Sequence, residues 1–242
     1  MNTPGQTRKT ILVVDDDERI RKIVSDVLLR CGFAVLQAAD GDVVLGLVRR
    51  HQPDLVIMDV KMERVSGLHA LTELRAESSD VAVIVMTGSG EEQQVLDAFA
   101  AGADDYVTKP VSQAQLVARV KAVLRRLNGG ETRDPIVPPE PTVTTYGPLC
   151  LNAARHTLTL NDRVVNLTPT ETLLLDVLMR SPGHIFAPED LLERVWGAEY
   201  RDAVDVLRTN IYRLRKKLQE EIGLARWIQS RPSAGYFFEA DS

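Results

Sequence analysis

Cysteine is scarce in this sequence: 242 residues contain two, Cys31 and Cys150, too far apart to form a disulfide framework or a zinc-ligand pattern. Aromatic residues make up only 5%. The longest purely apolar run is Val81–Met86, six residues against the roughly 20 needed to span a bilayer. The opening MNTPGQTRKT has no apolar core, so no secretory signal is expected there. An excess of positive charge is also missing, since the net charge is −5. Apolar residues at 44% and charged residues at 26% exclude collagenous, mucin-like and wholly disordered chains. A soluble, cytoplasmic globular protein without membrane contact is expected.

The negative total conceals a local field. Arg208, Arg213, Arg215, Lys216 and Lys217 share one ten-residue window without an acid. On a helix they place five positive charges along about 15 Å.

Residues 129–142, GGETRDPIVPPEPT, hold four prolines and two glycines and no apolar periodicity. They read as a linker between a domain at 1–128 and another at 143–242. In the first, short apolar runs at 11–14, 34–38, 55–58, 81–86 and 105–108 alternate with helical patterns near 18–30, 41–50, 66–76, 91–101 and 112–127. Five such units predict an α/β fold, a doubly wound five-stranded parallel sheet covered by helices. Strand candidates in the second domain, LCL, TLTL and VVNL, precede three helices: one from Thr168-Pro169, one at 188–196 and one at about 203–219. WIQS and GYFFE then form a hairpin. This order predicts an α+β winged helix-turn-helix.

Ligands of doubly wound sheets sit at the carboxyl ends of strands. Strand one ends in Asp15, Asp16 and Asp17, strand three in Asp59, strand four in Thr87 and strand five in Lys109. Crowded carboxylates repel unless a cation joins them, and oxygen-only ligands suit Mg²⁺. A carboxylate beside that cation can attack a phosphoryl group, while Thr87 and Lys109 hold the phosphoryl oxygens.

The motifs ILVVDDDERIR, LVIMDVKM with Gly67, VIVMTG and GADDYVTKP resemble the receiver domain of bacterial two-component response regulators, over about residues 9–127. The resemblance implies that Asp59 is the phospho-acceptor for a sensor histidine kinase. It likewise implies Asp15 and Asp16 as the metal-binding acids, completed by the Lys61 backbone carbonyl. By the same resemblance Thr87 is expected to be the switch hydroxyl, Tyr106 the switch aromatic and Lys109 the pocket lysine. Asp17 matches no family role and reads as surface. Two positions depart from the family: Glu63 stands where proline is usual, and Val111 where phenylalanine is usual. Glu63 and the Lys61 side chain are expected near the pocket mouth. Catalysis is expected to be limited to the protein's own modification, so the chain is not an enzyme acting on an outside substrate.

On a helical wheel Val204, Leu207, Ile211, Leu214 and Leu218 form one apolar stripe. Thr209, Arg213 and Lys216 point away from it, Tyr212 and Lys217 flank them, and Arg208 and Arg215 lie on a shoulder. A basic, hydroxyl-bearing helix before a hairpin suits the major groove of double-stranded DNA. The motifs LTPTETLLLDVL, LLERVWG, IYRLRKKL and GYFF resemble the winged-helix effector domains of the OmpR/PhoB subfamily, over about residues 146–240. By that resemblance Thr209 and Arg213 match base-contacting positions, and Arg208, Tyr212, Arg215 and Lys216 match phosphate contacts. Lys217 joins this surface, and Arg231 replaces the usual wing arginine, whose place Pro232 takes.

The resemblance also implies homodimerisation through the fourth helix, fifth strand and fifth helix, with inter-subunit pairs Asp105–Arg119 and Asp104–Arg126. Operators built of direct-repeat half-sites are expected, and RNA polymerase is a candidate partner for the loop Gly197–Ala203. Two rival readings differ in testable ways. A phosphorylation-independent transcription factor would carry an incomplete pocket. A flavodoxin-like cofactor enzyme would carry a Gly- or hydroxyl-rich phosphate loop after strand one.

Overall fold

A computed structural model describes residues 8–77, 80–88, 92–127, 143–223 and 227–239. The chain forms two compact units that divide after Leu124. The expected linker, 129–142, lies outside the described residues.

The first unit alternates strands and helices. These are β1 (Thr10–Val14), α1 (Glu18–Arg30), β2 (Ala34–Ala38), α2 (Val44–His51), β3 (Leu55–Asp59), α3 (Gly67–Ala76), β4 (Ala82–Gly88), α4 (Glu92–Ala101), β5 (Asp105–Lys109) and α5 (Gln113–Leu127). Every pairing is parallel, in the order β2-β1-β3-β4-β5. The central strands are apolar throughout because both faces of the sheet are covered: Ile11 to Val14, Leu55 to Met58 and Ala82 to Met86 are all buried. Strand order reverses between β1 and β3, and the crevice there is where such sheets bind ligands. Asp17 is exposed, as expected, and it also caps α1, its carboxylate accepting from Arg19 N–H at 2.8 Å.

The second unit opens with four antiparallel strands in order, β6 (Val143–Tyr146), β7 (Leu149–Asn152), β8 (Thr157–Leu160) and β9 (Arg163–Asn166). Strand β6 is not evident from the sequence because VTTY is short and half polar; pairing with β7 and the Thr144–Asp176 hydrogen bond to the next helix hold it. Helices α6 (Pro169–Met179), α7 (Pro188–Val195) and α8 (Val204–Ile222) follow, then the hairpin β10 (Ile228–Arg231) and β11 (Gly235–Phe238). Thr168 caps α6 in a complete capping box with Glu171. Gly235 has φ +137° and lies against the Phe186 carbonyl, so a Cβ there would overlap that oxygen. Phe186 and Tyr236 exchange backbone hydrogen bonds across this contact, at 2.9 and 3.0 Å, which docks the hairpin.

Candidate phosphorylation pocket and nucleic-acid interface

Three acids at two strand ends come together. One carboxylate oxygen from each of Asp15, Asp16 and Asp59 lies within 4.8 Å of the others. Asp15 and Asp59 are buried, at 0% and 6% exposure, and Asp16 is exposed. The Lys109 ammonium reaches into the group from β5, 2.7 Å from Asp15 Oδ2 and 2.9 Å from Asp59 Oδ2. The Lys109–Pro110 peptide bond is cis.

Burial pushes the Asp59 carboxyl above the ordinary carboxylate range, and the Asp15 charge adds to the rise, against the Lys109 ammonium and the Lys61 backbone N–H, which favour the anion. Burial alone would lower the Lys109 pKa, but its bonds to Asp15 and Asp59 outweigh burial and raise it.

The remaining groups are held by local bonds. Asp17 N–H donates to Asp15 Oδ1 at 2.9 Å, and Glu63 N–H donates to Asp16 Oδ2 at 3.1 Å. Arg21 grips the carbonyls of Asp15 and Asp16 from α1, at 2.6 and 3.1 Å. Arg21 was not among the residues expected at the site, although its place one turn into the helix after three aspartates puts it within reach of that loop. Thr87 at the end of β4 is 1% exposed, and its hydroxyl has no hydrogen-bond partner among the described residues. A buried orphan hydroxyl is costly unless a ligand completes it. Tyr106 is half-buried and stands edge-on to Phe99, with ring centroids 6.2 Å apart.

This donor set fits a hard cation: all three acids offer oxygen, one is solvent-facing, and an unsatisfied hydroxyl lies on the next strand end. Asp15, Asp16 and Asp59 are the side chains that would hold Mg²⁺.

Residues expected at a dimer face have partners within the single chain. Asp104 is fully buried and accepts from Val83 N–H at 2.9 Å and from Arg75 at 3.2 Å, which withdraws it from any partner's surface. Arg119 faces Asp105 of its own chain, 3.8 Å away, with both side chains largely buried. The Arg126 side chain lies outside the described residues.

The face of α8 also differs from the wheel. Beside the apolar stripe runs a second inward line, Val206, Asn210, Arg213 and Lys217, whose polar ends disguised it in the sequence. Arg213 donates through Nε to Glu171 Oε1 at 3.0 Å, and Lys217 donates to Glu171 Oε2 at 2.8 Å and to the Asn166 carbonyl at 3.0 Å. Glu171 is 1% exposed. Burial would raise its pKa, but the charges of Arg213 and Lys217, with hydrogen bonds from Lys217 and Thr168, lower it to about 2. Arg213 is therefore drawn toward α6, contrary to the outward position the wheel gave it. Arg215 is also engaged: its Nε donates to the Ile228 carbonyl at 2.8 Å, and its guanidinium lies 5.9 Å from the Tyr236 ring centroid. Burial lowers its pKa.

The outward side carries Arg208, Tyr212 and Lys216, all exposed, with Thr209 half-buried at its margin. Tyr212 is 70% exposed. Arg208 pairs with Asp205 at 3.0 Å and Lys216 with Glu220 at 3.8 Å, solvent-exposed pairs that phosphates can displace. Arg231 is exposed at the end of β10.

Residues 11–121 match the response regulator receiver domain, and residues 162–238 match the C-terminal domain of transcriptional regulatory proteins. The chain is 35% identical to the DNA-binding dual master transcriptional regulator RpaA of Synechocystis sp., over 95% of its own length and 94% of that protein. It is 34% identical to the transcriptional regulatory protein SrrA of Staphylococcus aureus, over 96% of both. A solved structure of a RitR mutant shares the fold, with a TM-score of 0.75 at 23% identity over 96% of this chain and 100% of that one. The chain belongs to the two-component response regulators of the OmpR/PhoB winged-helix subfamily. It is a DNA-binding transcriptional regulator built from a receiver and a winged-helix domain. No helix among the described residues is long and apolar enough to cross a membrane.

Proposed function

We propose that Asp59 accepts a phosphoryl group from the phosphohistidine of a sensor histidine kinase in the cytoplasm, and that this modification promotes homodimerisation and operator binding. The observation that carries the reading is the Lys109 ammonium bridging Asp15 and Asp59, with the orphan Thr87 hydroxyl at the next strand end. An Asp59 carboxylate oxygen attacks phosphorus, the P–N bond breaks, and the imidazole leaves as the neutral base after taking up a proton. The product is an aspartyl phosphate. Asp15, Asp16, Asp59 and the Lys61 backbone carbonyl would hold Mg²⁺, which when bound would neutralise charge on the phosphoryl oxygens. Lys109 then exchanges a carboxylate partner for a phosphoryl oxygen. The Thr87 hydroxyl donates to another, and the half-buried Tyr106 follows it inward. The new arrangement is read out on the face of α4, β5 and α5, where Arg119 must leave its own Asp105 before it can pair across a dimer.

For DNA, the outward residues Arg208, Thr209, Tyr212 and Lys216 meet the major groove and Arg231 meets the adjoining backbone or minor groove. Arg213, Arg215 and Lys217 support the helix and the hairpin instead of reading bases. Paired effector domains bind direct-repeat half-sites about one helical turn apart. The loop Gly197–Ala203 remains the candidate surface for RNA polymerase.

The test is labelling by acetyl phosphate with Mg²⁺. Wild-type protein becomes labelled and Asp59→Asn does not, because an amide is neither nucleophile nor anion. Equal labelling of the variant places the acceptor elsewhere.

A further inference from the structure

The three acids of the pocket are not held alike. Asp15 is fixed twice, by the Lys109 ammonium and by Asp17 N–H, and Asp59 is fixed by Lys109 and by Lys61 N–H. Asp16 is exposed and out of this ammonium's network. Its side chain is instead held from across the pocket, by the backbone N–H of Glu63 at 3.1 Å. An exposed carboxylate without such a partner would rotate freely and would lose that freedom only on binding a cation.

The donor is itself anchored from the far side. Val65 N–H donates to Asp40 Oδ1 at 3.2 Å, and the Arg64 guanidinium pairs with Asp40 and Asp42. Gly41 lies so close to the Val65 carbonyl that a Cβ there would stand 2.7 Å from that oxygen. The segment 63–65 is thus strung between Asp16 on one side and Asp40 on the other.

We propose that the backbone N–H of Glu63 is a positioning donor for the metal site: by fixing Oδ2 of Asp16 it holds that carboxylate in one orientation beside Asp15 and Asp59. Glu63 acts through its peptide group, and its exposed side-chain carboxylate is dispensable in that role. The inference rests on the reading of Asp15, Asp16 and Asp59 as a Mg²⁺ site. Partners that orient a metal ligand typically affect affinity about ten- to a hundred-fold. A backbone donor to a solvent-facing acid belongs at the lower end of that range.

The experiment measures Mg²⁺ binding to the full-length protein by titration calorimetry, comparing Glu63→Pro, which removes the donor, with Glu63→Gln, which keeps it and removes the charge. Glu63→Pro is expected to bind Mg²⁺ about ten-fold more weakly, and Glu63→Gln within about two-fold of wild type. Wild-type affinity in Glu63→Pro, or an equal loss in Glu63→Gln, overturns the proposal. Asp16→Ala serves as the control for the site itself. If it binds Mg²⁺ like wild type, the metal-site reading fails, whatever the Glu63 variants do. A second measurement is independent of how well proline is tolerated. In wild-type protein the Glu63 amide should show a scalar coupling through the hydrogen bond to the Asp16 carboxyl carbon, persisting with Mg²⁺ bound. Absence of that coupling in the Mg²⁺-bound protein refutes the positioning role.

Discussion

Arg213 of α8 donates to Glu171 at the start of α6 over 3.0 Å, and this bond braces the two helices against each other. Glu171 serves three donors at once: its own capping partner Thr168 through the backbone N–H at 2.9 Å, Lys217 and Arg213. Such a carboxylate ties the N-terminus of one helix to the middle of another. Removing a partner from a buried ion pair typically costs about 3–5 kcal/mol, because a charge is left uncompensated.

Arg213→Ala is therefore expected to lower the stability of the winged-helix unit by about 3 kcal/mol, with Lys217 still offsetting part of the Glu171 charge. Operator affinity should fall alike for all single-base variants of a site, with base preference unchanged. Urea unfolding and a binding series over operator variants measure the two effects. Unchanged stability with preference lost at one position would restore Arg213 as a base reader.

The Glu171 carboxyl also sets an acid limit. Its pKa falls from an ordinary 4.5 to about 2 on folding. A depressed folded-state pKa stabilises the protein fully above the unfolded value and loses that stabilisation as pH falls. The contribution, about 3 kcal/mol, should be complete above about pH 5 and decline between about 4.5 and 2. Glu171→Gln lacks this titration, so the stability gap between wild type and Glu171→Gln should narrow over that window. A gap that stays constant across the same window contradicts the assignment.

Tyr212→Ala should behave in the opposite way to Arg213→Ala. The ring is 70% exposed, so stability should stay within about 0.5 kcal/mol of wild type. Operator affinity should fall by about 1.5–3 kcal/mol, the magnitude of a hydrogen bond to a charged phosphate, with the salt dependence unchanged because the hydroxyl carries no charge. Lys216→Ala should instead weaken all DNA binding and reduce the salt dependence by about one unit. Binding measured at several salt concentrations separates these patterns.

Gly67 lies directly against the backbone of Asp59 at the end of β3. A Cβ at this position would overlap the Asp59 carbonyl oxygen and crowd its carbonyl carbon, 2.9 Å away. The Gly67 N–H meanwhile donates to the Val60 carbonyl at 3.0 Å, so the backbone cannot move aside without breaking that bond. Gly67→Ala should cost about 1–3 kcal/mol, as overpacking does, and slow phosphorylation by displacing Asp59. Thermal unfolding and the rate of acetyl phosphate labelling check it, and wild-type values for both would show that the loop has slack.

The sequence by itself determined the layout of both units. Apolar runs of four to six residues in alternation with amphipathic segments leave few alternatives to a parallel sheet with helices on both faces, and strand-end positions for Asp15, Asp16, Asp59, Thr87 and Lys109 follow from that layout. Pocket membership was legible because residues at or just past the carboxyl ends of parallel strands reach the same edge of the sheet. Tertiary packing decided what a one-dimensional period cannot carry. Whether Arg213 and Lys217 face solvent depended on Glu171, 42 and 46 residues earlier, arriving beside them. Whether Asp104 was a surface acid depended on Arg75 and the Val83 amide on neighbouring elements. The Glu63 bond to Asp16 spans 47 residues. A helical wheel assigns polar side chains to water, because it contains no partner that could satisfy them elsewhere. A buried charge is tolerated only when a distant segment brings the opposite charge, and that pairing exists only in the folded chain.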